Sequence, residues 1–130
     1  MAKRLNISSK AVWEKEVGYS RAVKVGNHIE ISGTVSVKKG KIYAPKDPYG
    51  QTKRILRIIE KTLKKAGATL EDVVRTRMYV TDITKWQEVG RAHGEVFKEI
   101  RPVTTMVEVK ALIDQEFMVE IEATALISDE

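Results

Sequence analysis

The last part of the chain alternates in polarity. Between Arg101 and Ile127, Val103, Thr105, Val107 and Val109 alternate with Thr104, Met106 and Glu108. After a short loop, Val119, Ile121, Ala123 and Ala125 alternate with Glu120, Glu122 and Thr124. A period of two predicts two strands, each with one face in a core. Earlier, Val23 and Val25 precede the turn-forming pair Gly26-Asn27, and Ile29 and Ile31 then alternate with His28, Glu30 and Ser32. This predicts a hairpin whose second strand stops at Gly33. A further strand is predicted where Val74, Thr76, Met78 and Val80 alternate with Arg75, Arg77 and Tyr79. Residues 1–17 show no clear period.

Two stretches change to a helical period. Over 51–66, Ile55, Ile59, Thr62, Leu63 and Ala66 mark one stripe, widened by Leu56 and Ile58, and Gly67 is a natural stop. Over 84–100, Trp86, Val89, His93, Val96, Phe97 and Ile100 mark another. Thr84 and Gln87 have the spacing of a capping box, and Pro102 ends the helix. His93 lies on the apolar stripe, which favours a hydrogen-bonded core histidine over a catalyst. Residues 38–50 are a Gly/Pro-punctuated loop with a short strand at 41–44, either a rim over a site or a connector.

The element order predicts an α+β fold: one domain, residues 1–130, with a mixed sheet and two helices on one face. The helices are expected to cover Ile29/Ile31, Val74/Met78, Val107/Val109 and Ile121/Ala123. The other face collects His28, Glu30, Ser32, Arg75, Arg77, Tyr79, Thr104, Met106, Glu108, Glu120, Glu122 and Thr124. No predicted element remains to cover it. It meets either water or another subunit, with clefts at the seams, and the pattern leaves both open.

Composition narrows the chemistry. The 130 residues are 42% hydrophobic and 32% charged, with no cysteine and two histidines. A chain of this length buries roughly two thirds of its unfolded surface and needs no staple. Disulfides, thiolate metal sites and a cysteine nucleophile are excluded, and no H-x-x-x-H spacing occurs, so neither metal nor cofactor is expected. No apolar run is long enough for a membrane span and the first ten residues lack a signal-peptide core. The cytoplasm is the expected compartment. The net charge is +5, but the cations are spread along the chain. Those of the first helix, Lys53, Arg54, Arg57, Lys61, Lys64 and Lys65, have no aromatic residues interleaved. A solvated face is favoured over nucleic-acid binding.

Several segments together resemble the RidA/YjgF family of small trimeric proteins, the reactive-intermediate imine deaminases. They are Tyr19-Ser20-Arg21-Ala22-Val23-Lys24-Val25-Gly26, Ile31-Ser32-Gly33, Gln51-Thr52, Ala66-Gly67-Ala68-Thr69-Leu70-Glu71-Asp72-Val73-Val74, Val80-Thr81-Asp82, Val107-Glu108-Val109 and Val119-Glu120-Ile121-Glu122-Ala123. They occur in family order from Gly18 to Ile127. The resemblance implies a chorismate-mutase-like fold and a homotrimer with three clefts between subunits. There, enamines and imines such as 2-aminoacrylate are hydrolysed to keto acids and ammonia. It implies Tyr19, Ser32 and Gly33 as cleft residues and Glu122 as the glutamate that positions water. Pro102-Val103-Thr104-Thr105 stands where the family has P-A-R-S, so Thr104 replaces the arginine that binds the substrate carboxylate. Met106 replaces a cysteine. By alternation Arg77 shares a face with Thr104 and Glu122, and either substitutes for the missing arginine or, with Arg75, pairs with Glu30, Glu108 or Glu120 at the trimer interface. The expected substrate-binding set is therefore Tyr19, Ser32, Gly33, Arg77, Thr104 and Met106. The rival readings are a non-catalytic trimer that binds a small carboxylate and, less favoured, a ribonuclease or translation inhibitor.

Overall fold

The computed structural model describes residues 3–128. Its main sheet has six strands in the order β1-β2-β3-β8-β6-β7. These are β1 (Arg4–Ile7), β2 (Ala22–Val25), β3 (His28–Val35), β6 (Val73–Val80), β7 (Val103–Glu108) and β8 (Val119–Leu126). A separate two-stranded ribbon pairs β4 (Val37–Lys38) with β5 (Lys41–Ile42). Helices α2 (Pro48–Lys65) and α3 (Trp86–Phe97) pack together on one face, and a short helix α1 (Val12–Val17) lies near the β1 edge. β1 and α1 lie in the segment where no period was visible.

The helices begin and end for local reasons. Asp47 caps α2 by accepting from the Gly50 N–H at 2.9 Å, and Pro48 fills the first position, where no N–H is needed. The helix therefore starts three residues before the expected Gln51. Gln51 is fully buried. Its amide donates to the Glu116 carbonyl at 3.0 Å and accepts from the Met118 N–H at 2.8 Å, tying the loop before β8 to the helix. The expected Thr84 cap is not formed. Asp82 caps a 3-10 turn over Ile83–Lys85 instead, and α3 starts at Trp86, whose ring is exposed rather than buried.

The core lies between helices and sheet. Ile55, Ile59 and Leu63 of α2 and Val89, Ala92 and Phe97 of α3 meet Ile29, Ile31, Met78, Val80, Ile121 and Ala123. Each buried Ile, Leu or Phe contributes about 1.5–3 kcal/mol. Among them sits His93, hydrogen-bonded through Nε2 to Thr76 Oγ1 at 2.9 Å. This is the expected core histidine.

β7 is placed out of the phase expected from alternation, and β6 departs from it at Val74 alone. β6 pairs with β7 in parallel, setting Thr104 beside Thr76, Met106 beside Met78 and Glu108 beside Val80. Thr76, Met78 and Val80 face the core, so Thr104, Met106 and Glu108 lie on the helix side, not on the open face. Thr76 Oγ1 donates to Thr104 Oγ1 at 2.7 Å, and Met106 packs against the core. Val103 and Val107 are correspondingly exposed. In β6, a bulge between Val73 and Arg75 buries Val73 and exposes Val74. The two strands of the 101–127 stretch are not neighbours, because β6 lies between them.

Candidate functional site

The open face carries a cleft at the β1–β2–β3 end of the sheet. It encloses about 650 Å³ and is lined by Asn6, Tyr19, Ser20, Glu30, Ser32 and Glu122, among others. Gly18 turns the chain into it. Its φ of 88° closes α1 in the left-handed region, and its N–H and that of Tyr19 both donate to the Glu14 carbonyl at 2.9 Å. Ser32 enters from β3, where a bulge between Ile31 and Thr34 inserts one extra residue opposite β8.

Two glutamates of β8 point to this face and differ in their surroundings. Glu122 is paired. Tyr79 donates its hydroxyl to Glu122 Oε1 at 2.8 Å, and Arg77 Nη1 lies 3.7 Å from the same oxygen. The bond to Glu122 raises the Tyr79 pKa, so the phenol keeps its proton. Glu120 instead rests on the backbone of Gly33, with no room for a β-carbon there. It accepts no hydrogen bond among the described residues. Burial pushes its pKa up, the nearby Arg21 pulls it down, and Glu122 adds to the rise.

Behind the bulge is a buried polar cluster. Arg21 donates to the Gly33 carbonyl at 2.7 Å and to Thr34 Oγ1 at 3.0 Å, and its Nε lies 3.9 Å from Glu14 Oε2. Both side chains are almost wholly buried. Burial alone would raise the Glu14 pKa. Hydrogen bonds from the Ser9 hydroxyl and N–H and from Ser8, with the Arg21 charge, outweigh it and hold the carboxylate below its usual range.

The residues expected at the site thus divide. Tyr19, Ser32 and Glu122 share the cleft, Gly33 underlies the neighbouring Glu120, and Arg77 adjoins Glu122. Thr104 and Met106 are turned away with β7. Glu120, Arg21 and Glu14 were missed as site residues. Glu120 and Glu122 follow the same alternation, and nothing local separates them. Among the described residues, no three His, Asp or Glu side chains are grouped to hold a metal ion. No helix there is long and apolar enough to cross a membrane.

The sequence profile of the Endoribonuclease L-PSP family matches residues 10–127. The chain belongs to that family. Its members also go under the YjgF and RutC names. A RutC family protein of Pyrococcus abyssi is 36% identical over 128 residues, covering 96% of this chain and 98% of its own. Among solved structures, Rv2704 of Mycobacterium tuberculosis, a YjgF/YER057c/UK114 family member, is 50% identical with a TM-score of 0.88. That match covers 96% of this chain and 100% of the other. The YjgF gene product of E. coli superposes at a TM-score of 0.80 with 28% identity, covering 93% of each chain. The α+β fold with its mixed sheet and one-sided helices is the fold of this YjgF/L-PSP chain.

Proposed function

We propose that this chain hydrolyses small imines or enamines, of the 2-aminoacrylate type, to keto acids and ammonia, in clefts formed where three copies meet. The observation that carries the reading is Glu120, a half-buried carboxylate without a hydrogen bond among the described residues, seated on Gly33 next to Ser32, which lines the cleft with Tyr19. An imine carbon is already electrophilic. What the reaction needs is a held substrate, a placed water and a proton acceptor. Water adds to the imine carbon while Glu120 takes its proton. The proton then passes to nitrogen, the carbinolamine collapses to a carbonyl, and the C–N bond breaks to release ammonia. This gives Glu120 the role first expected of Glu122, which Tyr79 and Arg77 already hold. Arg77 is half-exposed beside Glu122, and in this reading it meets the substrate carboxylate in place of the side chain that Thr104 does not supply.

Self-association is supported by the apolar residues on the open face. Val25, Val103, Val107 and Leu126 are all 42% or more exposed there, and an assembled trimer would dry them. A second reading, a trimer that binds a small carboxylate without turning it over, is favoured by the placement of Thr104. Its hydroxyl is taken up by Thr76 on the helix side, and no guanidinium stands at that position. RNA is disfavoured as a substrate because the carboxylates of Glu14, Glu30 and Glu122 outnumber the cations Arg4 and Lys15 along the cleft. The test is ammonia release from freshly generated 2-aminoacrylate. Release above the uncatalysed rate supports hydrolysis. Binding of small keto acids by calorimetry without release supports the second reading.

A further inference from the structure

We propose that Arg21, buried behind the cleft, is the positioning residue for Glu120. Through the Gly33 carbonyl it fixes the bulge on which that carboxylate rests, and it supplies the fixed positive charge beside it. The inference rests on the reading of Glu120 given above, but it is a statement about the folded protein and can be tested without a substrate.

The geometry gives Arg21 two tasks. Its bonds to the Gly33 carbonyl and Thr34 Oγ1, at 2.7 and 3.0 Å, span the extra residue of the β3 bulge. A bulge leaves backbone groups outside the sheet ladder, and a guanidinium with several fixed donors satisfies them in one orientation. That orientation brings the Gly33 backbone against Glu120. The second task is electrostatic. Arg21 is 7% exposed, so solvent screens its charge weakly. Its neighbours keep it in place. Glu14 lies on its far side at 3.9 Å, itself held by Ser8 and Ser9.

The groups that face Glu120 can be named. On its own strand is Glu122, whose charge opposes ionisation. Across the β6 register is Tyr79, a proton donor committed to Glu122. Across the β3 register is Val35, which is uncharged. Arg21, the residue before β2, is the one cation among these that favours the ionised form. In a cleft that dries when copies of the chain assemble, the base would otherwise take up a proton and cease to be one.

The experiment follows the Glu120 side-chain carboxyl by carbon NMR against pH in the full chain, assigned by the loss of its signal in Glu120→Gln. In Arg21→Met the Glu120 midpoint is expected to move upward, and in Arg21→Lys to return toward the wild-type value. Arg21→Met strands the Glu14 charge and risks misfolding. The double variant Arg21→Met/Glu14→Gln removes both charges and keeps the measurement possible. An unchanged Glu120 midpoint in the folded double variant overturns the proposal. So does an Arg21→Lys midpoint no closer to wild type than that of Arg21→Met. If the wild-type protein releases no ammonia while the midpoint moves as expected, imine hydrolysis fails and the role of Arg21 stands. If it does release ammonia, the alkaline rise of the rate against pH shifts upward in the double variant.

Discussion

Glu120 lies against the backbone of Gly33 so closely that a β-carbon at residue 33 would overlap its carboxylate. The obstacle is the far end of a flexible side chain, and Gly33 is not among the residues with positive φ. The glycine is there for room, not for backbone freedom. Gly33→Ala is therefore expected to fold, with stability within about 1 kcal/mol of wild type, because Glu120 can swing away. With Glu120 as the proposed proton acceptor, the same swing displaces it, and ammonia release is expected to fall about 100-fold. Thermal melts and the coupled ammonia assay check the two halves. A large loss of stability with activity retained would contradict the assignment.

The two glutamates of β8 should separate by substitution. Glu120→Gln keeps the shape and removes the proton acceptor, and is expected to lower turnover by about 100-fold or more. Glu122→Gln loosens Tyr79 and Arg77, and is expected to raise KM more than it lowers kcat. Steady-state kinetics on both variants decide between them. A larger kcat loss for Glu122→Gln would return the role to that residue.

His93 makes a pH-dependent contribution to stability. Burial lowers its pKa in the folded chain, while the unfolded chain titrates near the ordinary value of about 6.5. Below that pH the unfolded state takes up a proton that the folded state does not. The contribution is thus complete above the unfolded pKa and is lost as pH falls toward the folded one. Urea midpoints at pH 7.5 and 5.5 are expected to fall more for wild type than for His93→Gln. Glu120, with its raised pKa, works in the opposite sense but is common to both proteins, so their difference isolates His93.

Thr76 links that histidine to the edge strand. It donates to Thr104, and a hydroxyl has one proton, so the imidazole Nε2–H is the donor to Thr76. Thr76→Val leaves that buried donor without an acceptor and is expected to cost about 1–3 kcal/mol. Thr104→Val removes a partner at the exposed end and should cost less. Chemical denaturation of the two variants gives the comparison.

Assembly should depend on the open face. Val103→Asp and Val107→Asp place charges where apolar side chains are now exposed; if three copies assemble as proposed, either is expected to lower the mass measured by light scattering toward that of one chain. Arg77→Ala is expected to leave the mass unchanged and weaken binding of small carboxylates. Dissociation by Arg77→Ala would make it an interface residue instead.

The sequence by itself determined the class of the fold, the apolar stripes of α2 and α3, the polar character of β3, β6 and β8 on their second face, and the membership of the family. The first three are properties of local period, and the last rests on motifs that follow one another along the chain. An apolar stripe or a two-residue alternation must be buried on one side whatever lies across from it. Tertiary structure alone decided three things. The phase of β7 follows from its parallel register with β6, which turned Thr104 and Met106 toward the helices against their expected face. The different surroundings of Glu120 and Glu122 follow from the β3 bulge, which sets Gly33 under Glu120, and from Tyr79 and Arg77, which take up Glu122. Tyr49, in the first turn of α2, comes to lie under Arg91 of α3, 4.0 Å from its ring centre, and beside Lys53. That side of the helix, expected to carry no aromatic ring, therefore has one. Alternation reports which side of a sheet a residue occupies only once its strand is in register, and register is set by pairing between distant segments.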